Sequence, residues 1–163
     1  KIRETCCTYT MKIIILSGGK PKDVHVVSLA EHYFKRLRSF VPVVLESVPE
    51  AKDPLPSKKV EREGVGLLKN LRERDFLVTL EERGKCFDSR EFAEWVQTSV
   101  ERTPGRVVLA IGGAFGLSED VRRRSDFSLS LSPMTMPHEL CLVFLMEQLY
   151  RAFTLIRGVE YHH

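Results

Sequence analysis

Short apolar runs separated by helical patterns constrain this chain more than any other feature. Residues 11–16 carry Ile13, Ile14 and Ile15 in a row, without the alternation of a half-exposed strand. Such a run fits a strand covered on both faces. Residues 43–48, 76–80 and 106–111 supply three more strands. Phe127, Leu129 and Leu131 alternate with serines in a fifth. Helical spacings lie between them. Val24, Val27, Ala30, Phe34 and Leu37 mark one face of a helix over 24–38. Ser57 is placed to cap a helix to Leu71, which Gly64 and Gly66 would weaken by about 1 kcal/mol each, leaving that segment mobile. Asp88, with Glu91 three residues on, makes a capping box for a helix to about 102. Ser118 starts a short helix whose first acids, Glu119 and Asp120, suit its dipole. Pro137 suits the first turn of a last helix that ends at Gly158. The alternation predicts an α/β fold, a mostly parallel sheet with helices on both faces.

Ligands of such sheets bind outside the carboxyl ends of the strands. Three features meet that description. The bend Ile111, Gly112, Gly113, Ala114, Phe115, Gly116 follows the fourth strand. Its G-G-x-x-G spacing is neither a dinucleotide fingerprint nor a P-loop. Glycines there let backbone approach a ligand; a tight turn into a helix is the alternative. The loop Leu131, Ser132, Pro133, Met134, Thr135, Met136 follows the fifth strand and is apolar and uncharged. It lines an apolar pocket, or else forms a buried crossover. Leu80 ends the third strand, and the charged turn Glu81, Glu82, Arg83, Gly84 lies beyond it.

The last helix is apolar nearly all round, from Leu140 to Ile156. One apolar face suffices to pack on a sheet, so the second predicts a partner subunit, or full enclosure in the core. Arg151 within it has Glu147 four residues earlier, which allows an ion pair along the helix or an anion contact. His138 is a helix-start residue or a catalytic group. His25 and His32 read as surface residues and Trp95 as helix core. The basic clusters Lys35, Arg36, Arg38 and Arg122, Arg123, Arg124 read as solvated faces or as a guide for nucleic acid.

A length of 163 residues suits one domain, assigned to 11–163, with residues 1–10 as an extension outside it. That extension reads as an upstream start or the end of a transit peptide. The longest apolar stretch is interrupted by Glu147, Gln148 and Arg151, so no membrane span is expected. A net charge of +3 permits an RNA partner without requiring one. Cys6, Cys7, Cys86 and Cys141 show neither metal spacing nor a disulfide framework, so no metal is expected and a reducing, cytoplasmic compartment fits. Cys141 reads as a small buried hydrophobe.

From Met11 to His162 the chain resembles the RlmH family of SPOUT methyltransferases, which methylate N3 of a pseudouridine in large-subunit ribosomal RNA. The resemblance rests on residues 109–118, on Leu131, Ser132, Met134, Thr135, Pro137 and His138, on 147–152, and on Gly158, Tyr161 and His162. It implies an α/β knot in which the C-terminal segment threads a trefoil around S-adenosylmethionine. It also implies a homodimer with each site completed by the partner, acting on the ribosome. Leu80, Gly112, Gly113, Leu131, Ser132, Pro133, Met134, Thr135 and Met136 then correspond to cofactor contacts. Arg151, His138, Tyr161 and His162 correspond to catalytic or substrate-side groups. The chain ends in His163 where many members carry Lys or Arg. Two other readings stay open: a methyltransferase of this fold acting on another RNA such as tRNA, and a dimeric RNA- or nucleotide-binding module without catalysis.

Overall fold

A computed structural model describes residues 13–161. The expectations for residues 1–10, Met11, His162 and His163 lie outside the described residues. Among the described residues, five parallel strands form one sheet in the order β2-β1-β4-β3-β5. These are β1 (Ile13–Gly18), β2 (Val43–Val48), β3 (Phe76–Lys85), β4 (Val107–Ile111) and β5 (Phe127–Leu129). The helices are α1 (Val24–Leu37), α2 (Pro56–Lys69), α3 (Ser89–Arg102), α4 (Glu119–Arg124) and α5 (His138–Arg157).

The period of two along each strand divides the core into two layers. Ile13 and Ile15 point into a cluster with Leu37 of α1, Val96 of α3 and Leu145 of α5. Ile14 and Leu16 point the other way, onto Leu67 of α2 and Val121 of α4. Both faces are therefore covered, as the unbroken isoleucine run requires. Full burial of each such side chain contributes about 2 kcal/mol. Trp95 stacks among Phe87, Phe92 and Phe127 and is a core residue, as expected.

Several boundaries differ from the sequence reading. β1 continues through Ser17 and Gly18, and Gly19 (φ 93°) ends it. β3 runs five residues past Leu80, with a register shift that lets both Leu80 and Lys85 pair with Leu129. β5 is only three residues long; just beyond it the Ser130 hydroxyl faces the carbonyls of Glu82 and Ser132. α2 starts at Pro56 instead of being capped by Ser57, since proline needs no partner for its missing N–H there. Gly64 and Gly66 do not interrupt α2. A Cβ on Gly64 would lie 2.0 Å from Ser118 Oγ, and one on Gly66 would lie 3.3 Å from Val48 Cβ. They are sites of close approach between helix and neighbours. The Asp88–Glu91 capping box and the left-handed Gly158 at the end of α5 match expectation.

Buried charge sits at the amino-terminal edge of the sheet. Arg106 donates to both carboxylate oxygens of Asp75, which also accepts from the Arg72 and Arg106 backbone N–H groups. Burial alone would raise the Asp75 carboxyl, but these donors outweigh it and hold it below the usual carboxylate range. This pair locks the start of β3 to the start of β4, away from the opposite edge where the loops of interest gather.

Candidate functional site

At the carboxyl edge, β1 leads its chain toward β2 while β4 leads toward β5. Diverging connections of this kind leave a crevice beside the strand ends. A cleft of about 1050 Å³ opens at the same edge, on the β3 and β5 side of that divergence, lined by the exits of β3, β4 and β5 and the start of α5. Its base is backbone. The bend closes through Gly116 N–H donating to Gly113 O at 3.0 Å, and Gly116 adopts φ 85°. At Gly112 a Cβ would lie 2.5 Å from the Gly116 carbonyl carbon, so only glycine permits this fold-back.

The opposite wall is the 131–137 loop. Ser132 Oγ accepts from Met134 N–H at 3.0 Å, an ST-turn that rounds the loop. Met134 is 75% exposed and projects apolar surface at the mouth. The β3 exit forms the third side. Gly84 lies so close to Leu129 and Ser130 that its Cβ would be 2.5 Å from Leu129 C. Arg122 of α4 donates to Glu81 at 2.7 Å, across the rim, with Arg83 beside it. Cys141 is half-buried in the cleft wall, not enclosed in the core, and burial pushes its thiol up to about 11. It is a neutral, apolar lining group at physiological pH.

Eight of the nine residues expected at the cofactor line this cleft: Leu80, Gly112, Gly113, Leu131, Ser132, Met134, Thr135 and Met136. Pro133 is exposed and does not line it. The bend turns the chain toward α4, so the tight-turn reading and the wall of a cleft are the same structure. His138 stands between this cleft and a small cavity bordered by Gly18, Lys59 and Glu63. The next residue, Glu139, accepts from the Lys22 and Asp23 backbone N–H groups and fixes the start of α5.

Arg151 and Tyr161, two of the other expected catalytic residues, lie elsewhere. Arg151 follows His138 by 13 positions on α5, which is about 20 Å along the axis. It pairs with Glu147 at 2.5 Å, the helix ion pair that the spacing allowed. Tyr161 folds back against it. The Tyr161 ring lies 4.6 Å from the Arg151 guanidinium carbon, and its hydroxyl donates to Glu147 at 3.3 Å. Burial, with Tyr33 and Glu147 beside it, pushes the phenol up to about 12, so it stays protonated. Arg36 stacks over the Tyr150 ring at 4.5 Å. One chain therefore joins His138 to the cleft and leaves Arg151 and Tyr161 in a separate cluster. Along the outer side of α5, Leu140, Phe144 and Leu155 stay exposed on either side of that cluster.

Sequence reasoning left Arg122, Arg123 and Arg124 as a solvated face or a guide for nucleic acid; only the fold shows that Arg122, the first of the three, faces the cleft. Among the described residues no helix is long and apolar enough to cross a membrane. No group of described His, Cys, Asp and Glu side chains could hold a metal ion.

A family model described as "Predicted SPOUT methyltransferase" matches residues 11–162. A ribosomal RNA large subunit methyltransferase H from Alkaliphilus oremlandii is 35% identical over 158 residues, spanning 93% of this chain and 99% of that protein. A protein of the same name from Trichlorobacter lovleyi is 37% identical over 153 residues, spanning 94% and 100%. Among solved structures, a probable methyltransferase from Bordetella pertussis superposes with a TM-score of 0.54 at 17% identity, over 89% of this chain and 95% of that one. A probable methylase family protein from Haemophilus influenzae gives 0.52 at 16% identity, over 93% and 71%. At those identities the two structures speak for the fold alone. Matched along nearly its whole length by the family model and by relatives at 35 and 37% identity, the chain belongs to the RlmH family of SPOUT methyltransferases.

Proposed function

We propose that this protein transfers a methyl group from S-adenosylmethionine to N3 of a pseudouridine in large-subunit ribosomal RNA, on assembled ribosomes and as a homodimer. The observation that carries this reading is the division of the site along α5. The cleft with His138 lies at one end, Arg151 and Tyr161 lie at the other, and exposed apolar residues flank the second cluster. A second copy docked on that stripe would bring its own Arg151 and Tyr161 to the cleft of the first. The relatives' names specify ribosomal RNA of the large subunit. A C-terminal trefoil knot and a cytoplasmic location belong to the same proposal.

The residues present fit the cofactor. Drug-sized ligands occupy clefts of about 300–1,000 Å³ lined by apolar groups and a few backbone donors and acceptors. The Gly112–Gly116 backbone, bare of side chains where Gly112 turns, meets that requirement against Leu80, Leu131 and Met134. Bound there, S-adenosylmethionine would supply an electrophilic methyl group.

This chain's residues then have three tasks. The two loops hold donor and target base in reacting geometry, an effect that can supply about 7–11 kcal/mol. The apolar wall, including the neutral Cys141, excludes water. A proton must leave N3 as the new bond forms. His138, half-buried at the cleft, is the candidate acceptor, with His162 as the other. The partner's Arg151 would stabilise the developing ring anion, an interaction of the kind that contributes roughly 10²–10³-fold to rate. Arg83 and Arg122 at the rim offer cations to the RNA backbone.

Thermal unfolding with saturating S-adenosylmethionine tests the cofactor. The expected result is a raised Tm; an unchanged Tm favours the binding module without catalysis. Mass spectrometry of ribosomal RNA from a deletion strain tests the target. Loss of methylpseudouridine from the large subunit is expected, while a loss confined to tRNA would move the substrate.

A further inference from the structure

We propose that Glu63, on α2, is a positioning residue that braces the glycine bend from the side opposite the cleft. The inference rests on the reading of that bend as the methyl-donor wall. Glu63 is a charged residue only 7% exposed, and nothing in the transfer reaction accounts for it. Burying a carboxylate is costly unless donors compensate it, so its position calls for a task.

Its contacts define one. Oε1 accepts from the Ala51 backbone N–H at 3.1 Å, which ties the carboxylate to the loop after β2. Oε2 occupies the space where a side chain at position 113 would be: an ideal Cβ on Gly113 would lie 2.4 Å from it. The other side of Gly113 is filled by β1, since a Cβ on Gly18 would lie 2.6 Å from Gly113 N. Gly113 is thus held between the end of β1 and the Glu63 carboxylate. The neighbouring Gly64 presses on Ser118, whose hydroxyl caps α4. Consecutive residues of one helix therefore fix both ends of the 113–118 segment. Glu63 also borders the small cavity that His138 shares with the cleft. Movement of the carboxylate would release Gly113 and, with it, the carbonyl that closes the bend onto Gly116.

The test compares Glu63→Ala, Glu63→Gln, Gly113→Ala and the double variant Glu63→Ala/Gly113→Ala in the full chain. Calorimetric titration with S-adenosylmethionine and steady-state kinetics on ribosomal subunits provide the readout. Glu63→Ala should weaken cofactor affinity at least about tenfold, with KM for the ribosomal substrate unchanged. Glu63→Gln keeps the shape and an acceptor for Ala51 N–H, and should restore affinity to within about threefold of wild type. Gly113→Ala sets a methyl against the carboxylate, so removing the carboxylate as well should cost less than the sum of the single losses. Additive losses, or wild-type affinity in Glu63→Ala, would overturn the brace. Amide exchange at Gly116 in the cofactor-free protein separates the two levels. Faster exchange there in Glu63→Ala, with β4 unchanged, supports the brace even if the wild type binds no cofactor, and unchanged exchange refutes it. Absence of binding by the wild type would refute the cofactor reading alone.

Discussion

Replacing Gly112 with alanine tests the cleft at its narrowest point. The new Cβ would stand 2.5 Å from Gly116 C, 2.7 Å from its carbonyl oxygen and 2.8 Å from its Cα. Carbon atoms settle at about 3.5–4.0 Å, so the two arms of the bend must part by roughly 1 Å. The obstacle is backbone on both sides, and no rotamer relieves it. Overpacking of this size costs about 1–3 kcal/mol, against a stability of about 5–15 kcal/mol for an ordinary domain. The variant should therefore fold, with its Tm lowered. The larger effect falls on function. A displacement of about 1 Å in a group that positions reactants can reduce the rate on the order of a hundredfold. Calorimetry with S-adenosylmethionine and methyl transfer to ribosomal subunits measure the two consequences. Gly158→Ala is the matched control. Its φ of 63° also resists a side chain, but no described residue lies within 4 Å of its Cβ, and it ends α5 far from the cleft of its own chain. It should lose about 1–2 kcal/mol of stability with cofactor affinity intact. Wild-type cofactor binding by Gly112→Ala, or an equal binding loss in Gly158→Ala, would refute the assignment of the bend.

Two further expectations address the fold and the assembly. Asp75→Asn leaves Arg106 buried without its charge partner and should cost about 3 kcal/mol at pH 7, measured by chemical denaturation. Because the Asp75 carboxyl is depressed, its contribution is present above about pH 4 and is lost as pH falls through the lower folded value. The asparagine variant should lack that acid limb, and unchanged stability at pH 7 would contradict the pairing. Phe144→Glu places a charge in the exposed apolar stripe of α5. Light scattering should then report monomers where the wild type gives dimers, and a variant still fully dimeric would place the interface elsewhere.

Much of the fold was legible because it rests on local chemistry. Ile13 to Leu16 lacked polar alternation, and the strand is covered on both faces. Asp88 with Glu91, Ser118 and Gly158 each marked a helix end through one side chain or one left-handed residue. Tertiary contacts hid the rest. Gly64 and Gly66 looked like weak points in α2, yet their bareness admits Ser118 and Val48, residues distant in sequence. β3 outran its apolar run because Lys85 finds Leu129, a pairing that no local pattern encodes. The site divided in the same way. Loop residues 131–136 and the glycine bend follow strands, and a parallel sheet gathers strand exits at one edge, so their meeting could be foreseen. Arg122 could not, because three arginines in a row do not show which one faces inward. The 13-residue spacing of His138 and Arg151 on one helix did set them about 20 Å apart; the return of Tyr161 onto Arg151 and Glu147 was not legible.

That separation is the central point, and subunit complementation tests it. Gly112→Ala impairs the cleft, and Arg151→Ala removes the cation at the other end of α5. Each variant alone should be nearly inactive on ribosomal subunits. When the two are co-expressed in equal amounts, half of randomly paired dimers are mixed. With a site shared between chains, each mixed dimer holds one intact cleft facing one intact Arg151, so about a quarter of wild-type transfer should return. If each chain carries its whole site, the mixture will be no more active than the two variants measured separately.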